Sequence, residues 1–417
     1  MLTVEEALAR TCGDVPRMPP EGVPLADALG RVLAEDVRST VDVPPWDNTA
    51  MDGYAVIAAD TVDEERGLTV LETVGAGQVA TQPVRPGTAI AIMTGAPMPE
   101  GADAVVMVED TDGARQGMVQ VRGRATPGRH VRRRGEDVRA GDVVLPAGTR
   151  LTPAAIGVAA STGHARLSVA RRPVVAILST GDEVVPVGEP LRPGQIWSSN
   201  NATLAAMVLE AGAVPLDLGI APDRLDATVA ALKSALASAD VVVTTGGVSV
   251  GAYDVVKEAF AELGAAMDFW RVRMKPGKPL AFGRVPAGDR QVPLFGLPGN
   301  PVSCTVNFLQ FVRPWLRKAV GDPRPHLPMV SAIAAEDFDE PPGRTRLVRV
   351  ALARDETGAL VAHSAGSQSS GVLSAMARAQ GLMVLPAEAP SPHRGQLVRV
   401  QVIDPGYLDG AGADYPT

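Results

Sequence analysis

The order of apolar runs in this chain predicts a multidomain α/β protein built round a doubly wound, mainly parallel sheet. Strand-like and helix-like runs alternate from Pro173 to Val320, and polar turns bearing glycine follow four of the strand-like runs. The flanking regions 44–146 and 325–405 change to short β-like runs broken by Gly and Pro. At 417 residues the chain has room for two to four domains, each able to bury its own core.

Residues 1–43 open with Val4, Ala7 and Leu8 on one helical face and continue with a second helical segment over Leu25–Leu33. Helical character returns within 147–172, at Pro153–Ala160. These two stretches are expected to pack together as a helical linker domain, which makes the β domain of 44–146 an insertion. Its strand-like runs are Ala89–Met93, Ala104–Val108, Met118–Val121 and Asp142–Leu145. The α/β domain is expected over 173–324. Its predicted strands are Val174–Leu178, Val214–Leu218, Val241–Thr245, Ala266–Val272, Leu280–Phe282 and Val292–Phe295. Helices are predicted at Ala202–Ala211, Leu225–Ala237, Val255–Leu263 and Val302–Val320. A C-terminal barrel-like or sandwich-like β domain follows over 325–405, with runs at Leu347–Val350, Leu360–Ala362, Gly381–Leu385 and Leu397–Val402. The tail 406–417 carries no pattern and is expected to be poorly ordered.

A formal charge of −8 argues against a general nucleic-acid binder and points to a small ligand. Cys12 and Cys304 stand apart without a Cys/His cluster, so neither a disulfide framework nor a zinc site is indicated. Cys304 and the five scattered histidines read as structural. The N-terminus lacks the pattern of a signal peptide, and no apolar run approaches the roughly 18 residues of a membrane span. A cytoplasmic protein without a membrane partner is expected.

The chemistry concentrates in the turns. Val241–Gly251, V-V-V-T-T-G-G-V-S-V-G, is an apolar strand entering a glycine-rich anion cradle, with Gly246 and Gly247 bringing backbone N–H groups close to a ligand. It matches neither the P-loop nor the dinucleotide-binding fingerprint. S-T-G-D-E at 179–183, K-P-G-K-P at 275–279 and G-L-P-G-N-P at 296–301 follow other strand-like runs, so the four turns predict one shared rim for a phosphorylated ligand. Asp182, Glu183 and Asp254 beside such a rim would repel the ligand unless a hard cation such as Mg²⁺ lay between. For Asp254 alone, N-capping explains the residue equally well. Lys275 and Lys278, held by the intervening Pro-Gly, are suited to meeting an anion. R-R-R-G-E-D at 132–137 is either a solvated charge run or a second anion surface. The segment Pro44–Val56 is too polar for a core strand; Asp47, Asn48, Thr49 and Asp52 form either an Asx-turn network or a set of oxygen ligands.

The ordered set D-N-T-A-M-D-G-Y-A-V, M-T-G-A-P-M-P-E-G-A-D-A-V-V, R-R-R-G-E-D, S-T-G-D-E, T-T-G-G-V-S-V-G, K-P-G-K-P and G-L-P-G-N-P-V-S closely resembles the bacterial MoeA proteins. These are molybdopterin molybdenumtransferases related to the E domain of gephyrin, and the resemblance runs from about Leu2 to Val402. It implies an elongated four-domain homodimer whose α/β domain is similar to MogA and MoaB. The implied reaction inserts molybdate into adenylylated molybdopterin, with Mg²⁺ or a similar divalent ion, and releases AMP and molybdenum cofactor. Carried over by motif, the catalytic candidates are Asp52, Thr94, Asp137, Glu183, Asp223, Asp254 and Lys275. Glu183 and Asp254 would hold the metal. Thr180, Gly181, Gly246, Gly247, Ser249, Lys278, Pro298 and Asn300 would bind the pterin or its phosphates. Asp52, Thr94 and Asp137 would act from the other subunit. Thr49 keeps the hydroxyl where relatives often carry Ser, and Arg271 keeps the charge where they often carry Lys, with a different geometry. Two other readings stay open: a molybdopterin adenylyltransferase, which would share the α/β domain, and a gephyrin-like binding scaffold. Transient contact with the adenylyltransferase or with cofactor-accepting enzymes is a further expectation.

Overall fold

Strands that are buried on both faces need unbroken apolar runs, and the apolar runs Val174–Thr180 and Val241–Thr245 become interior strands of a six-stranded sheet. In a computed structural model, residues 1–63, 67–247 and 255–408 are described. They fall into two units, Met1–Glu21 with Ala170–Thr417, and Gly22–Val169. Ser249, Gly251 and Asp254 lie outside the described residues.

In the first unit a six-stranded sheet runs in the order Val214–Ala221, Val174–Thr180, Val241–Thr245, Arg290–Leu297, Pro279–Ala287, Ala266–Arg271. The first four strands are parallel, Pro279–Ala287 is antiparallel to both its neighbours, and Ala266–Arg271 returns to the common direction. Alternate residues of the same strands feed two cores. Val175, Ile177, Val241, Val243, Phe282 and Phe295 face one side, while Ala176, Leu178, Val242 and Leu294 face the other. Helices Ser199–Glu210 and Pro301–Asn307 cover the first face, and Leu225–Leu236 and Val255–Glu262 cover the second, so the sheet is doubly wound.

The N-terminal helix, Val4–Cys12, buries Val4, Ala7 and Cys12 in the first of these cores. Its start is set by a capping box: Glu6 N–H donates to Thr3 Oγ1 at 3.2 Å, and Thr3 N–H donates to Glu6 Oε2 at 2.8 Å. The single helix expected over Val302–Val320 is interrupted by a π turn, Phe308–Val312, between Pro301–Asn307 and Arg313–Ala319. Pro314 has no N–H to return to the preceding turn, which accounts for the local widening. The C-terminal strands close a barrel: Thr345–Arg354, Leu360–Ser364, Met329–Ala334, Leu397–Val402 and Gly381–Leu385, the last pairing back to the first. Met329–Ala334, M-V-S-A-I-A, has only a weak alternation and is not among the predicted strands.

The second unit holds a five-stranded sheet in the order Ala104–Met107, Gly53–Val56, Thr88–Ile92, Leu68–Val74, Met118–Val119. Gly53–Val56, taken as too polar for a core strand, is fully buried in it. Tyr54 and Val56 join one core and Ala55 the other, so four residues suffice. The helix expected over Leu25–Leu33 is one 3₁₀ turn, Leu25–Asp27. Beyond it Val32 bridges Arg150 and Leu33 bridges Val169, and these backbone partners replace helical ones. Val23, Leu33 and Val37 share a third core of this unit with Leu145, Leu151 and the helix Pro153–Ser161.

Phe282 is fully buried, with ring centroids 5.8 Å from Phe269 and 4.9 Å from Phe295. Phe282→Ala is expected to lower stability by about 3–5 kcal/mol in chemical denaturation, through lost transfer energy and the cavity left behind.

Candidate active site

Four strands of the first unit deliver their carboxyl ends to one rim. Val174–Thr180 leads into Gly181, Val241–Thr245 into Gly246-Gly247, and Arg290–Leu297 into Pro298-Gly299-Asn300. The Lys275–Pro279 turn joins Ala266–Arg271 to the reversed strand Pro279–Ala287 and so reaches the same rim. Asn307, buried on the helix beneath, donates from Nδ2 to the Gly277 and Pro279 carbonyls at 3.3 Å each.

The strand ends approach too closely for side chains. Gly246 has φ 91° and Gly247 φ 60°, and a Cβ on Gly246 would lie 2.6 Å from the Thr180 carbonyl oxygen. One on Gly247 would lie 2.6 Å from Val256 Cγ2. The space this leaves is a cavity of about 270 Å³ lined by Thr180, Gly181, Glu183, Asp223, Gly246, Gly247, Pro279, Pro298, Gly299 and Asn300. The fold thus brings together the candidates Thr180, Gly181, Glu183, Asp223, Gly246, Gly247, Pro298 and Asn300. Thr180 Oγ1 is buried there without a hydrogen-bond partner among the described residues, a group suited to a ligand oxygen.

The cavity is acidic on one side. Asp223 N–H donates to Asp182 Oδ1 at 3.1 Å. Burial pushes the Asp223 carboxyl above the ordinary carboxylate range; a backbone hydrogen bond from Asp182 opposes it, and the charges of Asp182 and Glu183 add to the rise. Among the described residues no group of three or more His, Cys, Asp or Glu is arranged to hold a metal ion unaided.

Lys275 and Lys278 are not part of the cavity wall. Lys275 Nζ forms an ion pair with Glu340 Oε2 at 2.9 Å, and the main chain of Lys278 accepts from Val272 N–H at 3.0 Å. Arg271 is exposed at the end of its strand, where it pairs with Pro279. Cys304 is buried, and burial pushes its thiol up to about 12, so it is no nucleophile.

Several groups escaped the sequence reading. Asn200 Nδ2 donates to Thr245 Oγ1 and to the Gly299 carbonyl, both at 2.8 Å, tying two glycine turns together. Arg349, in a barrel strand, is wholly buried. Its Nη2 donates to the Ser367 carbonyl at 2.6 Å and the Ser369 carbonyl at 3.1 Å, whereas Nε and Nη1 have no partner among the described residues. The 367–371 loop it holds reaches a second cavity of about 460 Å³ through Gly371. Nothing in a lone R-V-A-L run distinguishes a buried arginine from a solvated one.

In the second unit the three remaining motifs meet. Thr94 donates from its N–H at 2.6 Å and from Oγ1 at 2.7 Å to the same oxygen, Oδ1 of Asp52, and these bonds hold the Asp52 carboxyl below its usual range. Asp47 accepts from Arg133 Nη1 at 2.7 Å and from Arg134 N–H at 2.8 Å. Strand Asn48–Thr49 pairs with Val131–Arg132, and Asp137 N–H donates to the Val43 carbonyl at 3.0 Å while its side chain stays exposed. The charge run is therefore partly neutralised by the D-N-T segment.

Because the folded-state carboxyl of Asp223 is raised, the folded chain binds its proton more tightly than the unfolded chain, and ionised Asp223 destabilises the fold at neutral pH. That penalty vanishes as pH falls through the folded-state value to below the unfolded one. Asp223→Asn is expected to raise Tm at pH 7, to lose this advantage toward pH 3–4 in a thermal-melt series, and to lower turnover at least tenfold.

Sequence comparison matches residues 2–163 to the MoeA N-terminal region (domain I and II), 176–318 to a probable molybdopterin binding domain, and 331–403 to the MoeA C-terminal region (domain IV). The chain is 38% identical over 409 residues to a molybdopterin molybdenumtransferase of Bacillus subtilis (strain 168), covering 96% of this chain and 94% of the relative. It is 42% identical over 390 residues to molybdopterin molybdenumtransferase 2 of Mycobacterium tuberculosis (strain ATCC 25618 / H37Rv), covering 91% and 94%. The crystal structure of a molybdopterin biosynthesis MoeA protein from Pyrococcus horikoshii superposes with a TM-score of 0.81 at 31% identity, covering 96% of this chain and 99% of that one. Relatives of this identity span nearly the whole length of both chains, and the chain belongs to the MoeA family of molybdopterin molybdenumtransferases.

Proposed function

We propose that this chain inserts molybdate into adenylylated molybdopterin and releases AMP and molybdenum cofactor. The observation that carries this reading is the glycine-lined cavity whose wall holds both an unpartnered Thr180 hydroxyl and the Asp223 carboxyl with its raised affinity for protons. Gly247 and Asn300 would cradle the pyrophosphate of the substrate with backbone and amide donors, while Gly246, whose own N–H goes to the Leu297 carbonyl at 3.2 Å, leaves the room that a side chain would take. Asp223 takes the proton from a water whose oxygen attacks the adenylyl phosphorus. A P–O bond to that oxygen forms, the anhydride bond breaks, AMP leaves, and the pterin phosphate departs as the other product.

The residues present fit a hard divalent cation such as Mg²⁺. Carboxylates stand beside a phosphate cradle, the burial of Asp223 beside like charges is a strain that a cation relieves, and Mg²⁺ commonly takes only one or two protein carboxylates beside phosphate oxygens and water. Glu183 and Asp254 would hold it. When bound, the cation supplies neutralisation of the phosphate charge. The incoming molybdate, a substrate, calls for cationic donors, and Lys275 and Lys278, carried by the turn at the same rim, would supply them.

Asp52, Thr94 and Asp137 lie in the second unit, and we assign them to the site of the other subunit in a homodimer, with Ser249 completing the pterin cradle. No helix among the described residues is long and apolar enough to cross a membrane, in keeping with a small-molecule enzyme of the cytoplasm that receives its substrate from a molybdopterin adenylyltransferase.

Incubation with adenylylated molybdopterin, Mg²⁺ and molybdate is expected to release AMP in step with metal bound to pterin. ATP consumption without metal incorporation would overturn the assignment in favour of an adenylyltransferase. Glu183→Ala is expected to lower kcat/KM at least 100-fold, about 2.7 kcal/mol of transition-state stabilisation. Asp52→Ala and Glu183→Ala subunits, each inactive alone, should recover activity in verified heterodimers; no recovery would count against a shared site.

A further inference from the structure

Lys275, assigned above to the incoming molybdate, already carries an internal anion. Its Nζ meets Glu340 Oε2 at 2.9 Å, and the two ends of the pair differ in access: the lysine side chain is 41% exposed and the glutamate side chain 7%. An anion arriving from solvent therefore reaches the ammonium first, with the carboxylate behind it. A neutralised ammonium attracts an oxyanion only weakly, so the pairing with Glu340 bears directly on how this lysine works.

Glu340 stands among more cations than it can neutralise. Parallel pairing sets Lys275 against Arg346, so two cationic residues share one rung of the ladder. Arg346 and Arg349 are both buried; burial pushes each guanidinium down, and the charge of Glu340 opposes that in each. One carboxylate thus serves three cations. Arg346 Nη1 donates to the Glu340 carbonyl at 2.6 Å, and Nη2 donates to the Pro386 carbonyl at 2.9 Å and the Ala389 carbonyl at 2.6 Å. Its Nε is buried with no partner among the described residues. A buried guanidinium with a donor to spare offers the Glu340 carboxylate a second seat.

The main chain of Glu340 is fixed without help from Lys275. Its N–H donates to Ser391 Oγ at 3.0 Å, and its carbonyl accepts from Ser391 Oγ at 2.9 Å as well as from Arg346. The carboxylate can therefore leave the lysine while the loop that carries it stays in place.

We infer that Glu340 is an internal competitor of the substrate oxyanion: it holds the Lys275 ammonium until a tetrahedral oxyanion takes its place, and the released carboxylate turns to the Nε–H of Arg346. This rests on the reading that Lys275 meets molybdate, and it adds the residue that sets how tightly. The exchange leaves no charge unpaired, because the ammonium gains one anion as it loses another and the carboxylate passes from one cation to the next. It also eases departure, since the displaced carboxylate stands ready to return. Glu340 is a positioning residue in this scheme, acting on the oxyanion through Lys275.

The test is calorimetric binding of molybdate alone to the full chain. Glu340→Gln removes the competing charge and should tighten molybdate about fivefold or more. In turnover with adenylylated molybdopterin and Mg²⁺ the same variant should lower KM for molybdate without raising kcat, the mark of an interaction equal in ground and transition states. A glutamate that only steadies the lysine predicts the opposite sign, weaker binding and a higher KM. Should Glu340→Gln fold poorly for want of charge beside the two arginines, Glu340→Asp keeps that charge, withdraws it from Lys275, and is expected to tighten molybdate about twofold or more. Lys275→Met should weaken molybdate about tenfold and, in the double variant, abolish the effect of Glu340→Gln. Weaker binding in Lys275→Met with unchanged or weaker binding in the Glu340 variants would overturn the competitor and leave Lys275 in its assigned role. Binding untouched by Lys275→Met would overturn both, and molybdate-dependent AMP release in that variant would still uphold the insertase reading.

Discussion

The close approach of three parallel strand ends governs the rest of the site. Gly246 Cα lies where a Cβ on Gly299 would sit 3.7 Å away, and a Cβ on Gly246 itself would press against the Thr180 carbonyl. With no side chains on Gly246, Gly247 and Gly299, the gap opens onto backbone and the Thr180 hydroxyl on one side and the Glu183 and Asp223 carboxyls on the other, a surface suited to an anion with a cation beside it. Everything around it secures that spacing. The unbroken valine and isoleucine runs bury both faces of the sheet, and Asn200 ties the 245–246 and 298–299 turns to one helix start.

Electrostatics in the two units are handled in opposite ways. Asp52, Asp47 and Asp42 are satisfied by hydrogen bonds from Thr94, Arg134 and Ala140, which hold each carboxyl below its usual range. Asp223 is left partly buried beside two like charges and is raised. The first group behaves as a prearranged, ionised surface, the second as a site waiting for a proton or a cation. Lys275, rigidly presented by its turn, is matched to Glu340 of the barrel, which fixes its position before any ligand arrives.

Much of the architecture was legible in the chain because burial on both faces writes itself as long apolar runs. Val174–Thr180 and Val241–Thr245 were located from such runs to within two residues, as were the helices Leu225–Leu236 and Val255–Glu262. Gly53–Val56 was misread because only four residues cross the second sheet and polar neighbours surround them. Met329–Ala334 was missed for want of clear alternation, and Leu25–Leu33 was overcalled because its apolar spacing answers to bridges with Arg150 and Val169, not to a helix.

The sequence by itself determined the α/β alternation, the glycine turns and the acidic residues beside them, because each is a local demand of burial or backbone conformation. It also carried the family resemblance that the comparisons bear out. Only the tertiary structure decided that Glu183 and Asp223 line one cavity with Asp182 hydrogen-bonded to Asp223, that Asp52 answers Thr94 and Asp47 answers Arg133, and that Lys275 is spoken for by Glu340. Those pairings join residues far apart in the chain, and a pairing energy depends on distance and burial, which no one-dimensional pattern records. The spare capacity of Arg349, Ser198 and Thr180 is visible for the same reason only in three dimensions, since an unused donor or acceptor is defined by the partners that the fold fails to bring.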